Sequence, residues 1–179
     1  MAFWTDATRG QDPKRQNNFI VRMNGPNRVE QFYIKTAEKP SATTSTADIN
    51  YLNHTFKIPG RTTWNPVNVT FYDSVDEQSS ATQLVRLLED MGYNPPSDPN
   101  DFGTVSKASS IVALGNVQII QLDSRGNEVE TWTLMNAFMT EVNFGTLDYS
   151  SDEVVEVTAQ FTYDFAKFEG PDGIERLKP

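Results

Sequence analysis

The sequence predicts a mainly β protein, a β-sandwich or barrel-like arrangement with one flanking α-helix. Three observations carry this. After position 117 apolar residues recur at every second position through several runs, the period of strands with one buried face. Only one stretch, 80–91, has the helical period. The runs are separated by turn signals such as "NGPN" at 24–27 and "SRGN" at 124–127. Strands, one helix, then more strands is the order of a sandwich or barrel with a helix packed on it.

The first strands are "NNFIVRMNGPNRVEQFYIK", with apolar centres Phe19-Ile20-Val21 and Phe32-Tyr33-Ile34 around the reversal at 24–27. The next stretch, 36–55, is long, weakly hydrophobic and read as irregular. Such a segment inside a compact domain is a disordered or an interaction element. "WNPVNVTFYDS" then alternates Val67, Val69 and Phe71 against Asn68, Thr70 and Tyr72. In "SATQLVRLLEDMG", Leu84, Leu87, Leu88 and Met91 share one helical face. Ser80 and Gln83 have capping-box spacing, and Gly92 is a C-terminal stop. The Pro-, Asn- and Asp-rich stretch after it reads as loop as far as 110. "VQIIQLD" and "EVETWTL" flank a hairpin turn at Gly126, "AFMTEVNFG" follows, and a final alternating strand precedes a polar tail, 169–179, with a turn at 171–173.

At 179 residues the chain is most economically one domain, 1–179, with a core over 17–168. It is 37% hydrophobic and 11% aromatic, the composition of a soluble globular protein, and no run has the length of a membrane span. The first residues lack a basic stretch followed by an apolar run, so no secretory signal is expected. No cysteine is present, which removes disulfides, thiolate nucleophiles and zinc–thiolate sites and fits a reducing compartment. The net charge is −9, from 15 Lys and Arg against 24 Asp and Glu, with the basic residues scattered. Tight nucleic-acid binding needs concentrated positive charge and is not expected; passage of nucleic acid without binding is compatible.

Catalytic chemistry has little to stand on. The only histidine, His54, falls in the weakly patterned stretch, where a polar surface residue is the simplest reading. The acidic set Asp148, Asp152 and Glu153 lacks the ligand spacing and central glycine of a calcium loop and reads as a solvated turn. No phosphate-cradling glycine loop and no HExxH occur. Asn53-His54-Thr55 and Asn68-Val69-Thr70 match the glycosylation acceptor, which carries little weight without an export signal. No enzyme, cofactor or metal is expected.

The last strand is the informative one. In "EVVEVTAQFTYDF", Val155, Val157, Ala159, Phe161, Tyr163 and Phe165 alternate with Glu156, Thr158, Gln160, Thr162 and Asp164. The second set contains no Lys or Arg. Any half-exposed antiparallel strand alternates in this way.

"LMNAFMTEVNFGTLDYSSDEVVEVTAQFTYDF", 134–165, resembles the C-terminal half of the tail tube proteins of contractile-tailed phages. These have an apolar strand, a short crossing segment, "LDY" or "LDW", an acidic or Asn-rich turn and a Glu-led alternating strand. "FKIPGRTTWNPVNVTFYDS", 56–74, is similar to their middle strand, and the helix follows it in the expected place. The resemblance runs over 17–168. It implies a fold shared with the inner tubes of injection devices and with the haemolysin-coregulated protein of type VI secretion. Six copies would form a ring, and rings would stack into a tube within a virion tail, assembled in the host cytoplasm. Expected partners are further copies, tail sheath subunits, and baseplate and tail terminator proteins, with DNA passing transiently during genome ejection and no membrane. Glu156, Thr158, Gln160, Thr162, Asp164, Asn68 and Thr70 would face the channel. The loop at 36–55 would reach the adjacent ring through Ser41, Thr43, Thr44, Asp48 and Tyr51, and Phe3 and Trp4 would anchor on a neighbour. The alternatives are the inner tube of a phage-derived contractile injection system, conducting protein, and a monomeric β-sandwich binding module.

Overall fold

A computed structural model describes residues 13–26, 33–95 and 103–177. The expected residues Phe3, Trp4, Asn27 and Phe32 lie outside them. Among the described residues, eleven strands and two helices follow one another as β1 Phe19–Met23, β2 Ile34–Ala37, β3 Ser41–Tyr51, β4 His54–Asn65, β5 Val67–Tyr72, α1 Ser80–Asp90, α2 Lys107–Leu114, β6 Val117–Leu122, β7 Glu128–Met135, β8 Phe138–Asn143, β9 Glu156–Thr162, β10 Phe165–Glu169 and β11 Glu175–Arg176. The fold is mainly β, as expected. Its strands form a five-stranded sheet in the order β1-β6-β7-β10-β11, a four-stranded sheet in the order β2-β5-β9-β8, and the separate hairpin β3-β4. Every pairing is antiparallel and, among the described residues, no sheet closes into a barrel.

Period-two patterning decides what lies between the sheets. Val67, Val69 and Phe71 of β5 stand opposite Phe161, Ala159 and Val157 of β9, and all six are fully buried. Val21, Ile119 and Leu134 line the inner face of the other sheet and join the same core. The helix α1 closes one side with Leu84, Leu87 and Met91, while Leu88 is partly buried. Fully burying side chains of this size contributes about 1.5–3 kcal/mol each before entropy is counted.

Ser79, not Ser80, caps α1: its Oγ accepts from the Thr82 N–H at 3.2 Å. Ser80 is buried one position later, and its hydroxyl donates to the Tyr72 carbonyl at 2.8 Å, tying the helix to β5. The loop expected through 110 contains α2. Its eight residues, "KASSIVAL", show no helical stripe, but Ser106 and Ser109 form a reciprocal capping box. The helix ends where the chain doubles back against β1. A Cβ on Gly25 would sit 2.4 Å from the Ala113 carbonyl oxygen, and Gly115 turns with φ of 69°. Only glycines allow this approach. Among the described residues, neither helix is long and apolar enough to cross a membrane.

Two further expectations change. The stretch 36–55 is not irregular: most of it forms β3 and the start of β4. The polar tail adds a short strand, β11, to the edge of β10, with Arg176 held by Asp172.

A polar sheet face and an exposed hairpin as the candidate functional site

The outer face of the four-stranded sheet is built from residues the pleat turns away from the core. Register places Thr36, Thr70, Thr158 and Asn143 in one cross-strand row, and Asn68, Gln160 and Glu141 in the next. The rows are knitted by neutral hydrogen bonds. Gln160 Nε2 donates to Asn68 Oδ1 at 3.2 Å, and the Thr140 hydroxyl donates to Gln160 Oε1 at 3.3 Å. Thr140 and Thr162 hydroxyls are 3.2 Å apart, those of Thr70 and Thr158 3.5 Å. Asn68 also donates through Nδ2 to Glu38 at 2.9 Å. Six of the seven residues expected on the channel face therefore share this surface.

Asp164 is the exception. The strand stops at Thr162, and the chain crosses to the other sheet through Tyr163 and Asp164 before β10 begins at Phe165. There the Asp164 carboxylate accepts from Lys107 Nζ at 2.7 Å and Asn136 Nδ2 at 2.7 Å, which hold its pKa below the ordinary value. Nor is the face free of cations, as the strand alone suggests. Lys35 enters from β2 and pairs with Glu156, whose carboxylate raises the Lys35 pKa. Lys35 could not be assigned to this face from sequence, because a bulge between Ile34 and Thr36 sets its direction.

The hairpin β3-β4 stands away from the sandwich, exposed along nearly all its length. A bulge at Ser45 divides it. Ser45 Oγ accepts from the Arg61 N–H at 3.0 Å, and a Cβ on Gly60 would lie 2.5 Å from that oxygen, so a side chain at position 60 would turn the Ser45 hydroxyl out of this bond. Beyond the bulge, Asp48 pairs with Lys57 at 3.0 Å and Asn50 with Thr55 at 2.8 Å on one face. The opposite face carries Ala47 with Ile58, Ile49 with Phe56, and Tyr51 with His54. Of the hairpin residues expected to make contacts, only Tyr51 lies on this apolar strip. Ser41, Thr43 and Thr44 bond within the hairpin, to Asn65 and Thr62, and Asp48 to Lys57. His54 lies at the start of β4 with its ring edge-on to Phe56 at 4.6 Å. Ile49, Phe56 and Ile58 were missed, although their alternation about Leu52 and Asn53 was the available signal.

The hairpin root is held by a polar node. Glu130 points between the sheets, 7% exposed, and accepts from Lys14, from Lys39 Nζ at 2.8 Å and from Trp132 Nε1 at 2.6 Å. Burial opposes its ionisation, but these three donors outweigh it and bring the pKa from 4.5 to about 2. Trp64, at the end of β4, packs against Tyr163 with ring centres 6.0 Å apart. In the turn before β9, Asp148 Oδ1 accepts from the Ser150 N–H and hydroxyl at 2.9 and 2.8 Å, an Asx-type turn.

No protein-family model and no curated protein sequence matches the chain. Solved structures do. A chain in the cryo-EM structure of the anti-feeding prophage baseplate, symmetrised sixfold, is similar with a TM-score of 0.64 and 18% identity, over 90% of this chain and 98% of that one. A chain in the extended sheath–tube complex of an extracellular contractile injection system gives 0.62 and 17%, over 88% and 92%. A chain in the anti-feeding prophage cap, which terminates the tube, gives 0.56 and 19%, over 95% and 99%. Across nearly its whole length, the chain has the tail tube fold found in these contractile particles.

Proposed function

We propose that this chain is a structural subunit of the tube of a contractile particle, a phage tail or a phage-derived injection system, in which six copies form a ring and rings stack. The observation that carries the proposal is the four-stranded sheet. Its outer face is polar and internally hydrogen-bonded, and both its edges, β2 and β8, are without a strand neighbour among the described residues. An open edge invites pairing with another chain. Closure of a ring removes the edges and turns the polar face to a channel. Further copies, sheath subunits, baseplate and terminator proteins are the proposed partners, and the tube is proposed to be part of a particle assembled in the producing cell.

The hairpin fits the contact between rings. A two-stranded hairpin with one apolar face is marginal alone in water and gains stability when that face is covered. DNA passing to a host is the cargo proposed for a phage tail. The pairing of Lys35 with Glu156 removes net charge from the channel face, and the similar solved structures include extracellular injection particles; both support the second reading, an injection tube conducting protein. Negative-stain images of the concentrated, purified protein test the tube. Rings of about the same diameter, alone or stacked, are expected; a uniformly monomeric protein at every concentration overturns it and favours a binding module.

A further inference from the structure

We infer that the turn between β8 and β9 of one copy docks into the groove between β1 and β2 of a second copy, forming the lateral joint of a ring. The inference rests on the proposed tube and names the surfaces that would make it.

The turn is an unusual surface. Leu147 is 84% exposed, Val154 60%, and Tyr149 is fully exposed. Yet the turn is shaped rather than loose. Gly145 has φ of 83° with its α-carbon hydrogens against the Glu156 carbonyl, Asp148 gathers Ser150, and the Val155 carbonyl accepts from the Asp73 N–H at 3.0 Å. A rigid turn presenting apolar side chains has the character of an anchor. Asp148, Asp152 and Glu153 give it three negative charges.

The groove has the complementary chemistry. It holds about 900 Å³ where the first strands of the two sheets leave the sandwich open. Phe19, Ile34 and Ile119 supply apolar walls, and Lys14, Arg15, Lys35 and Lys39 supply the rim. Glu130 answers Lys14 and Lys39, and Glu156, with Glu153 of the same copy near it, answers Lys35, so four cations against three carboxylates leave the rim net positive.

Topology brings the two together. In the order β2-β5-β9-β8 every neighbour is antiparallel, so β2 and β8 run in opposite directions at opposite edges. Extending the sheet by an antiparallel β8–β2 joint between copies sets the end of β8, Asn143, beside the start of the next copy's β2, Ile34. The turn leaves from the first point, and the groove opens at the second. Opposite charges then steer the approach and fix its direction.

Charge exchange in the full-length protein tests this. Asp152→Lys with Glu153→Lys reverses the turn, and Arg15→Glu with Gln16→Glu reverses the rim; all four positions are exposed. Each double variant alone is expected to melt like the parent and to lose rings in negative stain. An equal mixture is expected to regain them, because an alternating ring of even number pairs every turn with an opposite rim. Either double variant assembling on its own overturns the joint, as does a mixture that stays dispersed. Independently, benzoylphenylalanine at position 149 is expected to photo-cross-link to residues 14–19 or 34–39 of another copy; adducts only elsewhere overturn the joint. Parent rings with indifferent variants reject the joint alone, whereas a parent that never forms rings rejects the tube and the joint with it.

Discussion

Glu130 is the one buried carboxylate among the described residues. Three donors from the N-terminal segment, the hairpin root and its own strand converge on one buried carboxylate. A folded-state pKa depressed from 4.5 to about 2 means the unfolded chain binds the proton more tightly. The stabilisation is therefore complete above the ordinary value and is lost as pH falls from about 4.5 through about 2. Glu130→Gln should be less stable than the parent at neutral pH, because two lysines lose their charge partner, and should lose less on acidification; melting curves from pH 7 to pH 2 (about that span) check both. Equal acid sensitivity in parent and variant would remove the node from the account. Leu87 makes the simpler case. It is 1% exposed in the core, so Leu87→Ala should cost about 2–5 kcal/mol in a denaturant titration.

Elements carry what single residues cannot. The hairpin owes its inner half to the sandwich, through Trp64 on Tyr163 and Lys39 on Glu130, and its outer half to cross-strand pairs alone. Replacing residues 47–58 with Asn-Gly should leave melting nearly unchanged and abolish long tubes while sparing single rings. Stacks of normal length from that variant would take the hairpin out of the contact between rings. In α2, loss of the Ser106 side chain breaks a reciprocal cap, so Ser106→Ala should cost about 1 kcal/mol in the same titration used for Leu87. These two elements are also where sequence reading fell short, and for different reasons. The core strands and α1 announce themselves because burial forces period two or 3.6 on their residues. The α2 segment is too short, and too uniformly small and apolar, to show a stripe. The hairpin buries little of either face, so its polar half alternates Thr with Ser and Ala and leaves no hydropathy signal. The outer half does alternate, but a boundary at 55 leaves Ile49 and Tyr51 in the irregular stretch and cuts Ile49 off from its cross-strand partner Phe56. At the site, strand parity puts Gln160 and Thr158 on the sheet face turned away from the core, whereas Lys35 and Asp164 depend on a bulge and a sheet crossing that sequence period does not encode.

At the scale of the whole molecule, the proposed tube would turn the polar face of the four-stranded sheet toward whatever it conducts. Gln160 sits at its centre, between Asn68 and Glu141 in the same row. Its side chain bonds Asn68 and Thr140 but touches none of the core, since Ala159 and Phe161 point the other way. Gln160→Lys forfeits two neutral hydrogen bonds on a half-exposed surface, a cost of about 1 kcal/mol or less, and rings should still form. Every ring would then present one new ammonium group per copy at a single height, and every later ring would repeat it. Single phosphate contacts are weak, but their sum is large and falls steeply with salt. If the tube conducts DNA, tubes of the variant should retain duplex DNA at low salt in a filter-binding assay and release it as salt rises, while parent tubes retain none. Retention by neither would move residue 160 away from the channel. Failure of the variant to form rings, with its melting unchanged, would place residue 160 at a joint between copies, and the sheet face turned to the channel would be the other one.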